Sequence, residues 1–450
     1  MKCLRQEYRY PNKMGKEYRD SLFLFFILFS ISCCYFISIE IAEPIYTLFI
    51  LLNTGICLYN ISFIHHKPYS IKLFVNIFIY FFFILANAIQ FANNSMTLTF
   101  NMFFYEDDYI QFQYVLFIIL IIFNYTYYIT PGYLSSKNVS IYNQSIRKTI
   151  FLSTIVTLYI LYHFDFNPYE LFARGLADEV LQESGIVKES SSQTFWLLFN
   201  YIIRPIPWVC LIISLVFKLP HKYSIYLFIC TFITVCPTGI ARNAAAMYWL
   251  PIVILMLKKM IHGHVFIYII FIGVFVLFPF LDNFRHFNGS ITLNFGFDYL
   301  DSMNFDASQI FMAVIKQNRI SWGSQLLGVL FFFVPRSIWP TKPVGSGHYL
   351  VLQNSGSYTN VSMPFFSEGY INFGYVGMLA FVIIAALIAK KFDTRYWSSP
   401  NRPSLQHGIY FLLIGASMFI MRGDLMSSFA YTMGISVTYL TTARLIQRKQ

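Results

Sequence analysis

Charge is scarce in this chain. Asp, Glu, Lys and Arg make up 12% of its 450 residues, about half the fraction of an ordinary globular domain, which excludes a soluble module built in the usual way. Acids are scarcer than bases, 21 against 32. Cysteine is sparse where it would matter for an exported scaffold: six of the seven fall in apolar stretches and Cys3 lies near the N-terminus. That excludes a disulfide framework in exposed loops, and no CxxC pair suggests a metal site. There is no Walker A sequence, no dinucleotide fingerprint and no serine in a nucleophile elbow, so ATP- or NAD-driven chemistry and serine-based acyl transfer are not indicated. Internal repeats, heptads and low-complexity linkers are also missing. The basic first 20 residues precede a full-length apolar run with no small-residue cleavage site, which predicts an uncleaved first helix.

Apolar and aromatic residues take the place of charge. The hydrophobic fraction is 57%, with 50 Phe, 33 Tyr and a mean hydropathy of +0.56. Runs of the roughly 20 residues that cross a bilayer predict an all-α polytopic membrane protein with about twelve spans, near 21–39, 45–64, 71–91, 109–130, 149–164, 195–217, 223–239, 243–260, 264–281, 370–389, 407–421 and 425–443. With both termini cytoplasmic, 22 of the 32 Lys and Arg but only four acids fall inside, as the positive-inside rule requires. Such a rim beside anionic membrane lipids accounts for the basic balance without a nucleic-acid partner. The chain therefore reads as a single integral membrane domain over 1–450, with a cytoplasmic basic segment at 1–20 and a large outer, periplasmic loop at 282–368.

That loop is where polar chemistry collects. Residues 306–317 predict a short amphipathic helix with Asp306 at its start. Residues 323–334 are apolar but too short to span, which suggests a re-entrant or interfacial segment ending at Pro335. The Pro335-Arg336-Ser337-Ile338-Trp339-Pro340-Thr341-Lys342-Pro343 stretch then holds cations in turn chemistry. Arg242 sits in a Gly239-Ile-Ala-Arg turn, Arg285 follows the ninth span, and Arg204 lies inside the sixth beside Pro205 and Pro207. A guanidinium in or near hydrocarbon has to be paired or functional, and its planar fork fits phosphate oxygens. Arg204 and Arg285 could equally snorkel or pair with Asp282, Asp306 or Asp424, and Arg422 reads as a structural ion pair. Glu368, at the outer end of the tenth predicted span, is the candidate general base, with a dipole-stabilising helix-start acid as the bland alternative. His348 is the second candidate base. Tyr370 and Asn372 could hydrogen-bond sugar hydroxyls and Trp339 could stack on a sugar face, although Trp and Tyr also mark any interfacial belt. No metal is expected: His65-His66 and His262-Gly-His264 lack a third ligand. The Glu106-Asp107-Asp108 and Glu40/Glu43 groups read as a solvated acidic rim, with a divalent-ion site as the lesser alternative.

Through Pro335-Arg336-Ser-Ile-Trp-Pro-Thr-Lys342-Pro343, Glu368-Gly-Tyr-Ile-Asn372-Phe-Gly374 and Gly239-Ile-Ala-Arg242, the chain resembles the Wzy-type O-antigen and oligosaccharide repeat-unit polymerases of bacterial inner membranes. The resemblance implies a C-type glycosyltransferase-like membrane fold and no cofactor. It implies transfer of a growing glycan from undecaprenyl diphosphate to a second undecaprenyl-diphosphate-linked oligosaccharide at the periplasmic face, with a chain-length regulator protein as a candidate partner. Arginines would seat the diphosphate, and Glu368 or His348 would deprotonate the acceptor. The alternatives are an O-antigen ligase, whose histidine-centred loop keeps His348 of interest, and a lipid-linked oligosaccharide flippase.

Overall fold

In the computed structural model, residues 11–64, 66–132, 143–167, 171–172, 198–240, 242–261, 263–277, 298–356, 361–400 and 403–448 are described. Among them the chain is helical, apart from one isolated antiparallel bridge between Gln144 and Gln447. The helices are, in order, α1 (Pro11–Ser38), α2 (Pro44–Ser62), α3 (Ile71–Phe78), α4 (Ala86–Ala92), α5 (Glu106–Ile129), α6 (Ile146–His163), α7 (Ile206–Val216) and α8 (His221–Thr234). The second half continues with α9 (Arg242–Leu257), α10 (Val265–Ile272), α11 (Ala307–Gln317), α12 (Ser324–Leu330), α13 (Ser346–Gln353), α14 (Phe365–Trp397), α15 (Leu405–Arg422) and α16 (Leu425–Ile446). A π-helical stretch, Ile79–Leu85, joins α3 to α4, and a second, Phe199–Ile203, leads into α7.

Seven helical segments among the described residues are long and apolar enough to cross a membrane: Gly15–Ser38, Pro44–Ser62, Ile71–Ala92, Glu106–Ile129, Phe199–Val216, Phe365–Trp397 and Leu405–Arg422. These support an all-α membrane protein. The chain forms two compact units, residues 1–131, 259–320 and 350–390 in the first, and 132–258, 321–349 and 391–450 in the second. The long loop predicted at 282–368 contributes to both.

The first unit is built around Ile71–Ala92, 94% of whose most apolar window is buried. A helix with no wet face needs partners on all sides. Apolar contacts come from edge-on rings, Phe83 with Phe112 at 5.6 Å and Phe112 with Phe311 at 5.7 Å. Amide side chains supply the direction that grease lacks. Gln113 donates to Asn87 Oδ1 (2.8 Å) and to the Phe83 carbonyl (3.0 Å), Asn53 donates to Gln113 Oε1 (2.8 Å), and Tyr46 donates to Asn87 Oδ1 (2.9 Å). Asn53, Asn87, Gln90 and Gln113 have no exposed surface. Where water is excluded, such bonds fix which helix face meets which.

Two expectations about the loop change here. Residues 307–317 do form a helix, with Asp306 at its N-cap, but the helix is not an amphipathic surface element. Every residue from Ala307 to Ile315 is buried, because the polar ones have partners: Ser308 donates to Gln90 Oε1 (2.9 Å), and Gln309 donates to the Ser95 carbonyl (2.7 Å) while accepting from the Thr97 N–H (2.8 Å). The tenth predicted span also starts later than 370. Phe373 and Gly374 leave helical geometry, Gly374 with φ of +63°, and the chain folds back there. The Phe365 and Phe381 rings meet at 5.0 Å, although sixteen residues along one straight helix would part them by about 24 Å. The Glu-Gly-Tyr-Ile-Asn-Phe-Gly run is therefore a helical hairpin packed on the start of the following span.

In the second unit α7 is central, and Trp208 on it is fully buried, its indole N–H donating to the Tyr248 carbonyl (2.7 Å). α9 and α15 are held by a proline and a glycine acting together. Pro251 lacks the N–H that would bond the Met247 carbonyl, and Gly415 packs on that carbonyl so closely that a Cβ would lie 2.3 Å from it.

Candidate functional site

Arg204 is placed by a break in its helix. Its N–H bonds the Phe199 carbonyl (2.9 Å), the wide turn of a π-helix. Pro205 and Pro207 follow, and the Tyr201 carbonyl that Pro205 cannot serve accepts instead from Thr438 Oγ1 (3.3 Å) on α16, with Gly434 allowing the close approach. The break turns the guanidinium toward the end of α8. Nε donates to the Thr234 carbonyl (2.6 Å), Nη1 lies 3.4 Å from Asn200 Oδ1, and the Phe164 ring lies 5.7 Å from the guanidinium carbon. Thr234 closes α8, so the carbonyl end of that helix faces a cation, as its dipole favours. Both acceptors are neutral. Nη2 is buried and has no hydrogen-bond partner among the described residues.

Arg336 and Lys342 lie between α12 and α13 in the same unit and bind their own backbone. The chain turns twice, with Trp339 N–H donating to the Pro335 carbonyl and Lys342 N–H to the Trp339 carbonyl. Arg336 Nη1 reaches the Lys342 carbonyl (2.7 Å), and Lys342 Nζ donates to the carbonyls of Phe332 and Val334 (3.0 Å). Partial burial, and then the neighbouring Arg336 charge, hold the Lys342 ammonium below the usual lysine pKa. Both side chains staple the turn, and Arg336, which is exposed, also keeps a face toward solvent. Trp339 is half-buried beside them, and His348 is half-buried in the first turn of α13. Arg242 opens α9. Arg285 lies outside the described residues.

Asp424 is a residue that the sequence did not single out as part of a site. It caps α16, accepting from the N–H groups of Met426 (2.9 Å) and Ser427 (3.4 Å). Its other oxygen accepts from the Gly347 N–H (3.0 Å) at the start of α13. Two helix starts thus share one carboxylate. Gly345 makes room for it, since a Cβ there would lie 2.5 Å from Asp424 Oδ2. Burial raises the Asp424 pKa, and the backbone donors oppose that rise. The Gly345-Ser-Gly347 run, too short to read as a motif, carries the signal only once its partner is known.

In the first unit, Glu368, Tyr370 and Asn372 all lie in the short arm of the hairpin. Glu368 and Asn372 have no exposed surface. Asn372 donates to the Glu368 carbonyl (2.9 Å), and the Tyr370 hydroxyl donates to Asn318 Oδ1 (3.0 Å). Asn372 thus bonds within the short arm of the hairpin, and Tyr370 ties that arm to Asn318 at the end of α11. Lys316 Nζ and Asp108 Oδ2 form an ion pair at 2.6 Å, and Asp108 also accepts from the Tyr105 N–H (2.8 Å). The acids Glu40, Glu43, Glu106 and Asp107 rim an open cleft of about 750 Å³ with Phe104, Tyr105 and Tyr109. Among the described residues no three His, Cys, Asp or Glu side chains come together as metal ligands do.

Neither a protein-family model, nor a curated protein, nor a solved structure matches this chain.

Proposed function

We propose that this protein is a glycosyltransferase of the bacterial inner membrane that joins undecaprenyl-diphosphate-linked oligosaccharide units into O-antigen or a related surface polysaccharide. The observation that carries the reading is Arg204: a guanidinium inside an apolar helical segment long enough to cross a membrane, bonded to neutral carbonyls, with one buried nitrogen that has no hydrogen-bond partner among the described residues. A cation set in hydrocarbon needs an anion, and a diphosphate attached to a lipid is an anion that arrives laterally through the membrane. Arg336 and Lys342, with Arg242, supply further positive charge on the same unit.

In this reading an acceptor hydroxyl attacks the anomeric carbon of the donor sugar. The new C–O bond forms as the bond to the diphosphate breaks, and undecaprenyl diphosphate leaves with its charge stabilised by arginine. The hydroxyl proton passes to a general base, for which Glu368 is the first candidate. Because Glu368 is sealed in the hairpin, the bend at Phe373–Gly374 is the joint that opens to admit it. His348 is the second choice of base. All twelve predicted crossings and two cytoplasmic termini complete the reading.

A flippase is the second reading. Each unit has an interrupted helix, at Phe199–Ile203 in the second and at Phe373–Gly374 in the first, and transporters use discontinuous helices of this kind. The lipopolysaccharide ladder of a deletion strain separates the two. Wild type, Arg204→Lys and Glu368→Gln are reintroduced at equal membrane levels. A polymerase defect leaves a single repeat unit on the core. Loss of that first unit indicates a flippase or ligase, and an unchanged ladder in both variants overturns the site.

A further inference from the structure

Tyrosines that the reaction above does not use gather about the guanidinium of Arg204. Its electrostatic neighbours in the second unit are Tyr248, Tyr431 and Cys236, none of them a carboxylate. Tyr201 is in turn a neighbour of Tyr431 and Tyr248. Packing puts them there. Tyr201 lies in the π-helical break that ends at Arg204, and its ring is 4.1 Å from that of Tyr431 on α16. The glycine at 434 lets α16 come so close, since a Cβ there would lie 2.7 Å from Tyr201 Cβ. Tyr248 is fixed from α7: Trp208, one helical turn beyond Arg204, donates to its carbonyl, and the two rings are 5.5 Å apart. Tyr248 and Tyr431 each lie about 9 Å along their helices from the first residues, Arg242 and Leu425.

A phenol buried away from water ordinarily bonds its hydroxyl to something. Tyr248 is only 3% exposed and Tyr201 is half-buried, yet neither hydroxyl makes a hydrogen bond among the described residues. Arg204 Nη2 is in the same position. Either phenol oxygen could have accepted from that nitrogen, and neither does. Neighbouring donors that stay unbonded to one another suit an oxyanion set between them, because each can then give its proton to a separate oxygen in a charge-assisted bond.

We infer that Tyr201 and Tyr248 complete the Arg204 site as hydroxyl donors, so that one guanidinium nitrogen and two phenols hold a single phosphate group of a polyprenyl phosphate ester. The inference rests on the reading of Arg204 as the seat of a lipid-linked diphosphate. It adds that one phosphate is enough for recognition, since three donors match the three terminal oxygens of a phosphate monoester. The lipid monophosphate therefore binds as well as the diphosphate does.

The test uses the full-length protein in detergent, with farnesyl phosphate and farnesyl diphosphate as probes and farnesol as the uncharged control. Affinity and thermal unfolding without probe are the readouts. Wild type binds both phosphates and not farnesol. Tyr201→Phe and Tyr248→Phe each lose about tenfold in affinity, the effect of one hydrogen bond to a charged group. Both unfold at the wild-type temperature, because no group of the protein loses a partner. Tyr226→Phe, at the other end of α8, removes a hydroxyl that meets Thr154 and leaves binding unchanged. Wild-type affinity in both tyrosine variants, with binding lost in Arg204→Lys, overturns the proposal and leaves the reading of Arg204 standing. So does binding of the diphosphate without the monophosphate. A lowered unfolding temperature in the tyrosine variants shows that the protein itself uses the hydroxyls, and also overturns it. Failure of wild type to bind either phosphate overturns both the proposal and the reading beneath it.

Discussion

Gly369 and Gly377 stand face to face across the bend in α14. A Cβ added to Gly369 would lie 2.7 Å from the Gly377 carbonyl, and one added to Gly377 would lie 2.3 Å from the Gly369 carbonyl. Two residues eight apart in sequence meet because the chain reverses between them, and only hydrogen fits in the gap.

Filling that gap forces the hairpin arms apart. Gly369→Ala should cost roughly 1–3 kcal/mol, the range for overpacking a tight core. Gly374→Ala should cost about 1–2 kcal/mol because of its left-handed backbone. Thermal unfolding in detergent reads both. A Gly369→Ala variant as stable as wild type would mean that the arms are not packed this way.

The hairpin also makes a prediction about access. Cysteines replacing Phe365 and Phe381, whose rings touch, should cross-link under oxidation and lock Glu368 inside. The ladder should then collapse and recover on adding reductant. Full activity of the oxidised protein would exclude opening at Phe373–Gly374 as a step in the reaction.

Asp424→Asn should loosen the start of α13, because an amide offers one acceptor oxygen where the carboxylate uses two. The expected cost is about 1–3 kcal/mol, the penalty for stranding a buried donor. Limited proteolysis near Val344–Ser346 should speed up.

The same carboxyl sets a pH dependence. Its folded pKa lies above the unfolded value, so the folded state holds the proton more tightly. Its contribution to stability is then complete below the unfolded pKa, near 4, and is lost as pH rises through the folded pKa. The stability of wild type relative to Asp424→Asn should therefore fall as pH rises from about 4. A difference that grows with pH instead would contradict the burial of this group.

The buried amides of the first unit should behave as moderate ties. Gln113→Leu removes the side-chain bonds to Asn87, Asn53 and the Phe83 carbonyl, while Tyr46 still serves Asn87 and the Gln113 backbone carbonyl still serves Asn53, with an expected loss of about 0.6–2 kcal/mol. A gain in stability would show that the network serves something other than packing.

The helices were legible in the sequence because lipid demands long apolar runs, and α1, α2, α5 and α15 fall where those runs lie. The breaks were not. A π-helical turn such as Phe199–Ile203 shifts one hydrogen bond and leaves composition untouched, and Phe373–Gly374 reads as the mouth of a span when its reversal depends on Gly377, several residues later. Arg204 was legible as a costly cation beside two prolines. Arg336 reads as a phosphate seat, whereas it and Lys342 also bind carbonyls of their own turn. That use had a signal, since a proline-rich turn leaves carbonyls without N–H partners for cations to collect. Asn372 and Tyr370 read as sugar ligands, and only the fold adds the Glu368 carbonyl as a partner of the first and Asn318 as a partner of the second. Asp424 reads in the sequence only as a possible arginine partner, because its capping role depends on Gly345, 79 positions earlier.

The burial of α11 bears on how the chain is made. Gln309 bonds Thr97 across 212 residues of sequence, and Ser308 bonds Gln90 across 218. A ribosome releases α2 through α5 long before it reaches residue 307. Until then Gln90 and Thr97 lack the partners they have in the folded state, and the faces of Phe83 and Phe112 that α11 covers stand open to whatever is nearby. The first unit cannot close during its own synthesis. For most of translation it is a half-finished bundle awaiting its central piece, and that interval is when a membrane chaperone would find it and a destabilising variant would be degraded.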